Sequence, residues 1–384
     1  MNLRSRHLIP AAVALCALIT ACGKKDDMVK IGLAVALTGD NSMWGQSEKN
    51  AVEMEVAKIN EKGGVLGKKI QVFSYDTRAD ATEGVNVAKR MLGDGVCAII
   101  GPAQSGVSIA VTAVTEPAGV PFLATTATNP KVTIDDKTKQ VRHTAFRTCF
   151  IDPFQGTVAA QFASKNLKCK TASIIYDVGS DYSSWLGKYF TEEFTKQGGK
   201  VLTSEAFRSG ELDFRAILGK IKPSNPDMLF IPTQQKEAAL IQKQARDLGM
   251  KAVCMGGDGW GSPDLVTLGG AAVEGSYFVN LASLDDPEIQ DFIKEYRAKY
   301  NNDPVMPNPV MAIDALDVIC DAITKTGGTD PAKLTTQIEQ TKGLKTLSGV
   351  FTMDPATHNP LNKPAIIQQV KDGKFIYVTK FVTQ

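Results

Sequence analysis

Beyond Val29 the chain alternates short apolar runs with longer amphipathic segments, the pattern that winds strands and helices into βα units around parallel sheets. A first set predicts strands at Lys30 to Leu37, Lys69 to Tyr75, Val96 to Ile100 and Val120 to Ala124, separated by helices at Glu48 to Glu61, Thr82 to Leu92 and Gly106 to Glu116. A second set follows Asp152. It has strands at Ala172 to Tyr176, Val201 to Phe207, Met228 to Pro232 and Ala252 to Gly256, with helices at Gln155 to Asn166, Trp185 to Gln197, Phe214 to Ile221 and Lys236 to Leu248. The two sets read as copies of one α/β plan. After Tyr277 to Leu281, helices are predicted at Pro287 to Tyr300, Val310 to Lys325 and Pro331 to Gln340, then strand-like pieces at Gly349 to Met353, Ile366 to Val370 and Phe375 to Val378. If those helices return to the first set and the last strands to the second, the chain crosses three times, near Thr148, Val279 and Asp354, and the crossings form a hinge. The alternative is a rigid tandem array.

The N-terminus has a different pattern. Arg4, Arg6 and His7 precede an apolar run from Leu8 to Ile19, too short to span a bilayer, and Ile19, Thr20, Ala21 and Cys22 form a lipoprotein-type cleavage box. Residues 1–21 are expected to be a signal peptide, Cys22 a diacylated anchor and residues 22–28 a polar tether. The body is then soluble and extracytoplasmic, held to the membrane by lipid alone. A mature length of about 360 residues exceeds what one core serves, so two lobes are expected.

Cysteine and charge narrow the chemistry. Of seven cysteines, Cys97, Cys149, Cys169, Cys254 and Cys320 lie beyond the leader, an odd number with no C-x-x-C spacing. Buried thiols are expected rather than a metal or redox centre, with one disulfide left open by the compartment. A net charge of +2 leaves no electrostatic footprint for nucleic acid.

The run from Ala98 to Pro130 carries the strongest chemical signal. An apolar strand ends in Gly101 and Pro102, and Ser105 and Gly106 then open a helix whose first N–H groups lack an intrahelical partner and favour an anion. The next strand stops in Thr125, Thr126, Ala127, Thr128, Asn129 and Pro130. Two hydroxyl-bearing loops should therefore meet at the carboxyl edge of one parallel sheet, where open α/β folds bind ligands. Taken alone, Ser105 could be an N-cap and the threonines turn formers.

A hydrolase is the rival reading. Ser105 lies in GPAQSG rather than G-x-S-x-G, and the only histidines are His7, His143 and His358, the last two read as surface or loop residues. No H-E-x-x-H or similar spacing suggests a metal, and no cofactor is expected.

Six motifs in order give the chain a resemblance: TGDNSMWGQS from Thr38, INEKGGVLGKKI from Ile59, IIGPAQSG from Ile99, EPAGVPFLATTATNP from Glu116, FRTCFIDPFQG from Phe146 and GGDGWGSPDL from Gly256. With these it resembles the periplasmic branched-chain amino-acid-binding family, the leucine/isoleucine/valine-binding receptors of ABC transporters. The resemblance implies two Rossmann-like lobes joined by three crossovers with a ligand cleft between them. Lobe 1 would comprise residues 29–147 plus 280–354, and lobe 2 residues 148–279 plus 355–384. It further implies a monomer that binds an amino acid and docks on a membrane permease, with a sensory receptor of the same fold as the alternative output.

Carried over residue by residue, Ser105, Thr126 and Thr128 resemble the positions that hold the ligand α-carboxylate. Tyr182 and Asp258 look like those that meet the α-ammonium, and Trp44, read as lying in a polar turn, like the aromatic that covers the ligand. Asp258 could instead cap a helix starting near Pro263, and Tyr182 could be packing. Gln234 stands where an aromatic side-chain contact is often found, so polar or aromatic amino acids compete with leucine, isoleucine and valine.

Overall fold

The computed structural model describes residues 28–382, so the expected signal peptide and the Cys22 anchor lie outside the described residues. Strand β1 (Met28–Val35) is buried along nearly its whole length, because its two faces feed two cores. Ile31, Leu33, Ala98, Ile100 and Leu123 point to one, with Val52, Leu316 and Ile319. Their neighbours Ala34, Ile99 and Phe122 point to the other, with Val87, Met91 and Val107.

The first sheet is parallel throughout, in the order β2-β1-β3-β4-β5, and comprises β1, β2 (Lys69–Asp76), β3 (Ala98–Ile100), β4 (Phe122–Ala124) and β5 (Ala145–Arg147). Its helices are α1 (Ser42–Glu61), α2 (Ala81–Asp94) and α3 (Ser105–Ala118). The chain then enters α4 (Asp152–Gln161), continued by a π turn over Phe162–Asn166, and builds a second layer system. This contains β6 (Thr171–Asp177), α5 (Asp181–Lys196), β7 (Lys200–Phe207), α6 (Arg215–Ile221), β8 (Met228–Phe230), α7 (Gln235–Asp247), β9 (Val253–Gly256), α8 (Asp264–Gly269) and β10 (Tyr277–Asn280). Here too alternate residues serve opposite cores: Ile174, Phe230 and Met255 one, Ile175, Leu229 and Cys254 the other.

Helices α9 (Gln290–Tyr300), α10 (Asn308–Thr326) and α11 (Pro331–Glu339) follow, and α10 and α11 return to the first sheet, where Leu316, Ile323, Leu334 and Ile338 pack against Ile31 and Leu33. Two small hairpins, β11 (Leu344–Thr346) with β12 (Gly349–Phe351) and β13 (Met353–Asp354) with β14 (Asn359–Pro360), lead to β15 (Ala365–Lys371) and β16 (Lys374–Phe381). Those last strands join the second sheet antiparallel, completing the order β16-β15-β10-β9-β8-β6-β7. The protein is thus two α/β lobes joined by three crossovers.

Several elements differ from the sequence reading. Helix α1 begins at Ser42 rather than Glu48, so Trp44 sits in its first turn and not in a polar turn. Gly45 permits this, because a Cβ there would lie 1.9 Å from the Ala36 carbonyl oxygen, closer than any side chain tolerates. Strand β5 went unpredicted; it is three residues long and ends in an arginine. His358 lies in a turn but is buried, not a surface residue: it stacks on Phe146 with centroids 4.2 Å apart, and its Nδ1 lies 3.0 Å from the Ala145 carbonyl oxygen. His143 is exposed. The five described cysteines are free thiols, all buried except the half-buried Cys320.

Candidate functional site

A cleft of about 570 Å³ separates the lobes, lined from the first by the β3–α3 and β4–β5 loops and from the second by the segments after β6, β8 and β9. On the first-lobe wall, Gly101 leaves β3 with φ of +83°, and a Cβ there would meet the Ala34 carbonyl oxygen at 2.3 Å, so only glycine makes this exit. Ser105 is then the first residue of α3. The first bond of the helix runs from Ser108 N–H to Gln104 O, which leaves the N–H groups of Ser105, Gly106 and Val107 without an intrahelical partner.

The two hydroxyl-bearing loops do meet. Asn129 N–H donates to Ser105 Oγ at 3.3 Å, and Thr126 Oγ1 donates to Ala103 O at 3.4 Å. Because Ser105 Oγ accepts from a backbone amide, its own proton is free to be donated into the cleft. Behind them the fully buried Arg147 fixes the second loop, donating to Ala127 O at 2.7 Å and Asn129 O at 2.8 Å. Thr128 is fully buried and does not line the cleft, and its carbonyl accepts from Asp152 N–H.

The second-lobe wall offers acceptors. Asp258 heads a 3₁₀ turn, Asp258–Trp260, and does not cap α8, which starts at Asp264. Its Oδ1 accepts from Gln155 Nε2 at 2.7 Å. Burial pushes its carboxyl up to about 6, partly offset by the hydrogen bonds from Gln155 and Tyr182. Tyr182 Oη accepts from Gly259 N–H at 3.2 Å, and burial together with the charge of Asp258 holds its hydroxyl protonated well above the usual range. Gln234 is half-buried at the start of α7 and lines the cleft. Trp44 is 5% exposed and reaches across from the first lobe, its Cη2 lying 3.2 Å from where a Cβ on Gly261 would stand.

Six of the seven residues singled out from sequence therefore face one cleft: Trp44, Ser105, Thr126, Tyr182, Gln234 and Asp258. Trp260 is core, fully buried with its Nε1 donating to Ile231 O, and Trp185 lies under two cations, Lys131 and Lys188. Sequence reasoning missed Gln155, which holds the cleft residue Asp258, and Arg147, which braces the loop that follows Thr126. An arginine inside the apolar FRTCF stretch was the one available signal.

It also missed the contacts that close the mouth. Lys236 Nζ donates to Asp40 Oδ2 at 2.7 Å and Gln235 Nε2 to Asp40 O at 3.0 Å, while Asn129 Nδ2 donates to Asp181 O at 3.0 Å. All three bonds link one lobe to the other.

Chemically, one wall presents N–H and O–H donors at a helix N-terminus and the other a carboxylate and a phenol, an arrangement that suits a small zwitterion. Ser105 Oγ is paired with a backbone amide and not with an imidazole.

Comparison with known proteins gives a consistent set. Residues 28–374 match the family model described as periplasmic binding protein. The chain is 30% identical over 375 residues to Leu/Ile/Val-binding protein homolog 2 of Brucella abortus, covering 96% of this chain and 98% of that one. Among solved structures, a leucine-binding protein of Thermotoga maritima superimposes with a TM-score of 0.84 at 34% identity, over 92% of this chain and 98% of that one. The branched-chain amino acid transporter substrate-binding protein of Streptococcus pneumoniae in complex with isoleucine also gives 0.84, at 28% identity over 93% and 99%.

Proposed function

The chain belongs to the periplasmic binding protein family, in its branched-chain amino-acid-binding branch, and from that premise we propose that it captures an α-amino acid outside the cytoplasm and delivers it to an ABC importer. Ser105, Thr126 and the N-terminus of α3 receive the α-carboxylate, while Asp258 and Tyr182 receive the α-ammonium. Trp44 covers the bound molecule, and Gln234 meets its side chain. Cys22 anchors the receptor by lipid. Only the closed arrangement lets one molecule touch both walls, so the ligand shifts the population toward closure by the difference between its two affinities. The closed form is then the one the permease accepts.

One observation carries this reading: donors on α3 and the Asp258 carboxylate face each other across a single cleft from different lobes. The names of the relatives, as leucine-, isoleucine- and valine-binding proteins, support the ligand class. The test is thermal shift and intrinsic tryptophan fluorescence on unlipidated protein, refolded from denaturant to remove any carried-over ligand and offered free amino acids. At least one α-amino acid should stabilise the protein, and Asp258→Ala and Ser105→Ala should each abolish the shift. Equal binding of carboxylic acids that lack an amino group would overturn the role of Asp258.

A further inference from the structure

The composition of the cleft wall goes beyond the grip on the amino-acid backbone. A branched aliphatic side chain asks for an aliphatic wall, yet Val107 is the one branched aliphatic residue in the lining, which contains no Leu, Ile, Met or Phe. Six carboxylates line the same space, against the ammonium of Lys236.

Most of those carboxylates are engaged. Asp80 caps α2 by accepting from Glu83 N–H, Asp177 accepts from Gly179 N–H and Ser209 Oγ, Asp40 pairs with Lys236, and Asp181 lies 3.8 Å from Lys131. Asp258 answers the α-ammonium in the reading above. Glu237 is left, in the first turn of α7, with no hydrogen bond to another residue among those described. Burial raises its carboxyl above the usual range, and the charges of Asp40 and Asp177 add to the effect while Lys236 opposes it.

A second, independent observation sits two residues away. Gln235 lines the cleft at 1% exposure; its Nε2 is fixed by Asp40 O, and that bond sets the orientation of the amide. Its Oε1 has no donor. Gln104 Oε1, on the facing lobe, is likewise buried without a partner. Both oxygens need hydrogen-bond donors, which an aliphatic side chain cannot supply. Among the buried side-chain atoms of the lining, Trp44 Nε1 is the one donor without an acceptor, so beyond the α3 amides assigned to the α-carboxylate the unmet demand is mainly for donors.

Resting on the zwitterion reading, we propose that the ligand is an α-amino acid whose side chain ends in a cationic, multi-donor group, with Glu237 and the amide oxygens of Gln235 and Gln104 receiving that end. A guanidinium or ammonium supplies several N–H donors and a charge for Glu237, whereas leucine supplies neither.

Isothermal titration calorimetry of the refolded protein with L-arginine, L-lysine, L-glutamine, L-glutamate and L-leucine tests this. Arginine or lysine should bind at least tenfold more tightly than leucine and glutamate, and Glu237→Gln should cut the preference for arginine over glutamine by about tenfold while glutamine binding holds. Leucine or glutamate as the tightest ligand of the unmodified protein overturns the proposal and leaves the zwitterion reading standing. Absence of heat with all five overturns both. The ranking in the unmodified protein decides the matter even if the variant fails to fold.

Discussion

Gln155 Nε2 donates to Asp258 Oδ1 at 2.7 Å, joining the helix entered straight after the first crossover to the carboxylate that follows β9. A buried carboxylate that keeps one oxygen for an incoming ammonium needs its other oxygen satisfied from within, and Gln155 does this without adding charge. Gln155→Leu removes the donor and leaves Asp258 buried with less support. Hydrogen bonds to charged groups contribute about 1.5–3 kcal/mol, so calorimetry should find affinity for the best amino acid reduced by about tenfold or more. An unchanged Kd would show that the contact is only packing.

Affinity should depend on pH below neutrality. In the ligand-free protein burial pushes Asp258 up to about 6. An α-ammonium binds the ionised form, so lowering the pH through 6 makes the ligand compete with a proton. Between pH 7 and pH 5 the Kd should rise by about tenfold, one pKa unit being about 1.4 kcal/mol. Titrations at half-unit steps check this, and a flat profile would move the ammonium away from Asp258.

The same shift sets a cost in stability. The folded-state value of about 6 lies above the ordinary 3.8, so the fold holds this proton more tightly than the unfolded chain does. The stabilisation from protonated Asp258 is complete below about pH 4 and lost as pH rises through 6, at a cost of up to about 3 kcal/mol at neutral pH. Asp258→Asn should therefore raise the Tm of the ligand-free protein at pH 7.5, leave it nearly unchanged at pH 4, and abolish binding. Melting curves at both values check the three outcomes.

Arg147 should matter to stability as well as to the site. Its guanidinium satisfies the carbonyls of Ala127 and Asn129 in a fully buried position. Arg147→Met leaves both carbonyls unpaired in the interior, at about 1–3 kcal/mol each. The Tm should fall by several degrees, and the loop bearing Thr126 should exchange its amide hydrogens faster. Exchange confined to the basal rate would separate the arginine from the loop.

The framework was readable wherever apolar runs were long and buried on both faces, as in β1 and β6, where alternate residues serve two cores. Segments with little pattern of their own were harder. Strand β5 is three residues with a buried arginine, and α1 starts early because Gly45 lets the helix press against Ala36, a close approach with no signature in periodicity. At the site, Ser105 and the threonine loop were legible because free helix amides and hydroxyls announce an anion, whereas Trp44, Tyr182, Gln234 and Asp258 were reached only through the family resemblance. Gln155 was legible in neither way, since its role depends on Asp258, which lies 103 positions away in sequence and is brought beside it only by the packing of the second lobe.

The division of one zwitterion between two lobes is tested most directly by a crystal structure of the refolded protein with the amino acid that stabilises it most. The α-carboxylate should lie about 3 Å from Ser105 Oγ and the amides opening α3, with the α-ammonium at the same distance from Asp258. Both groups bound on a single lobe, or the two ends reversed, would contradict the account.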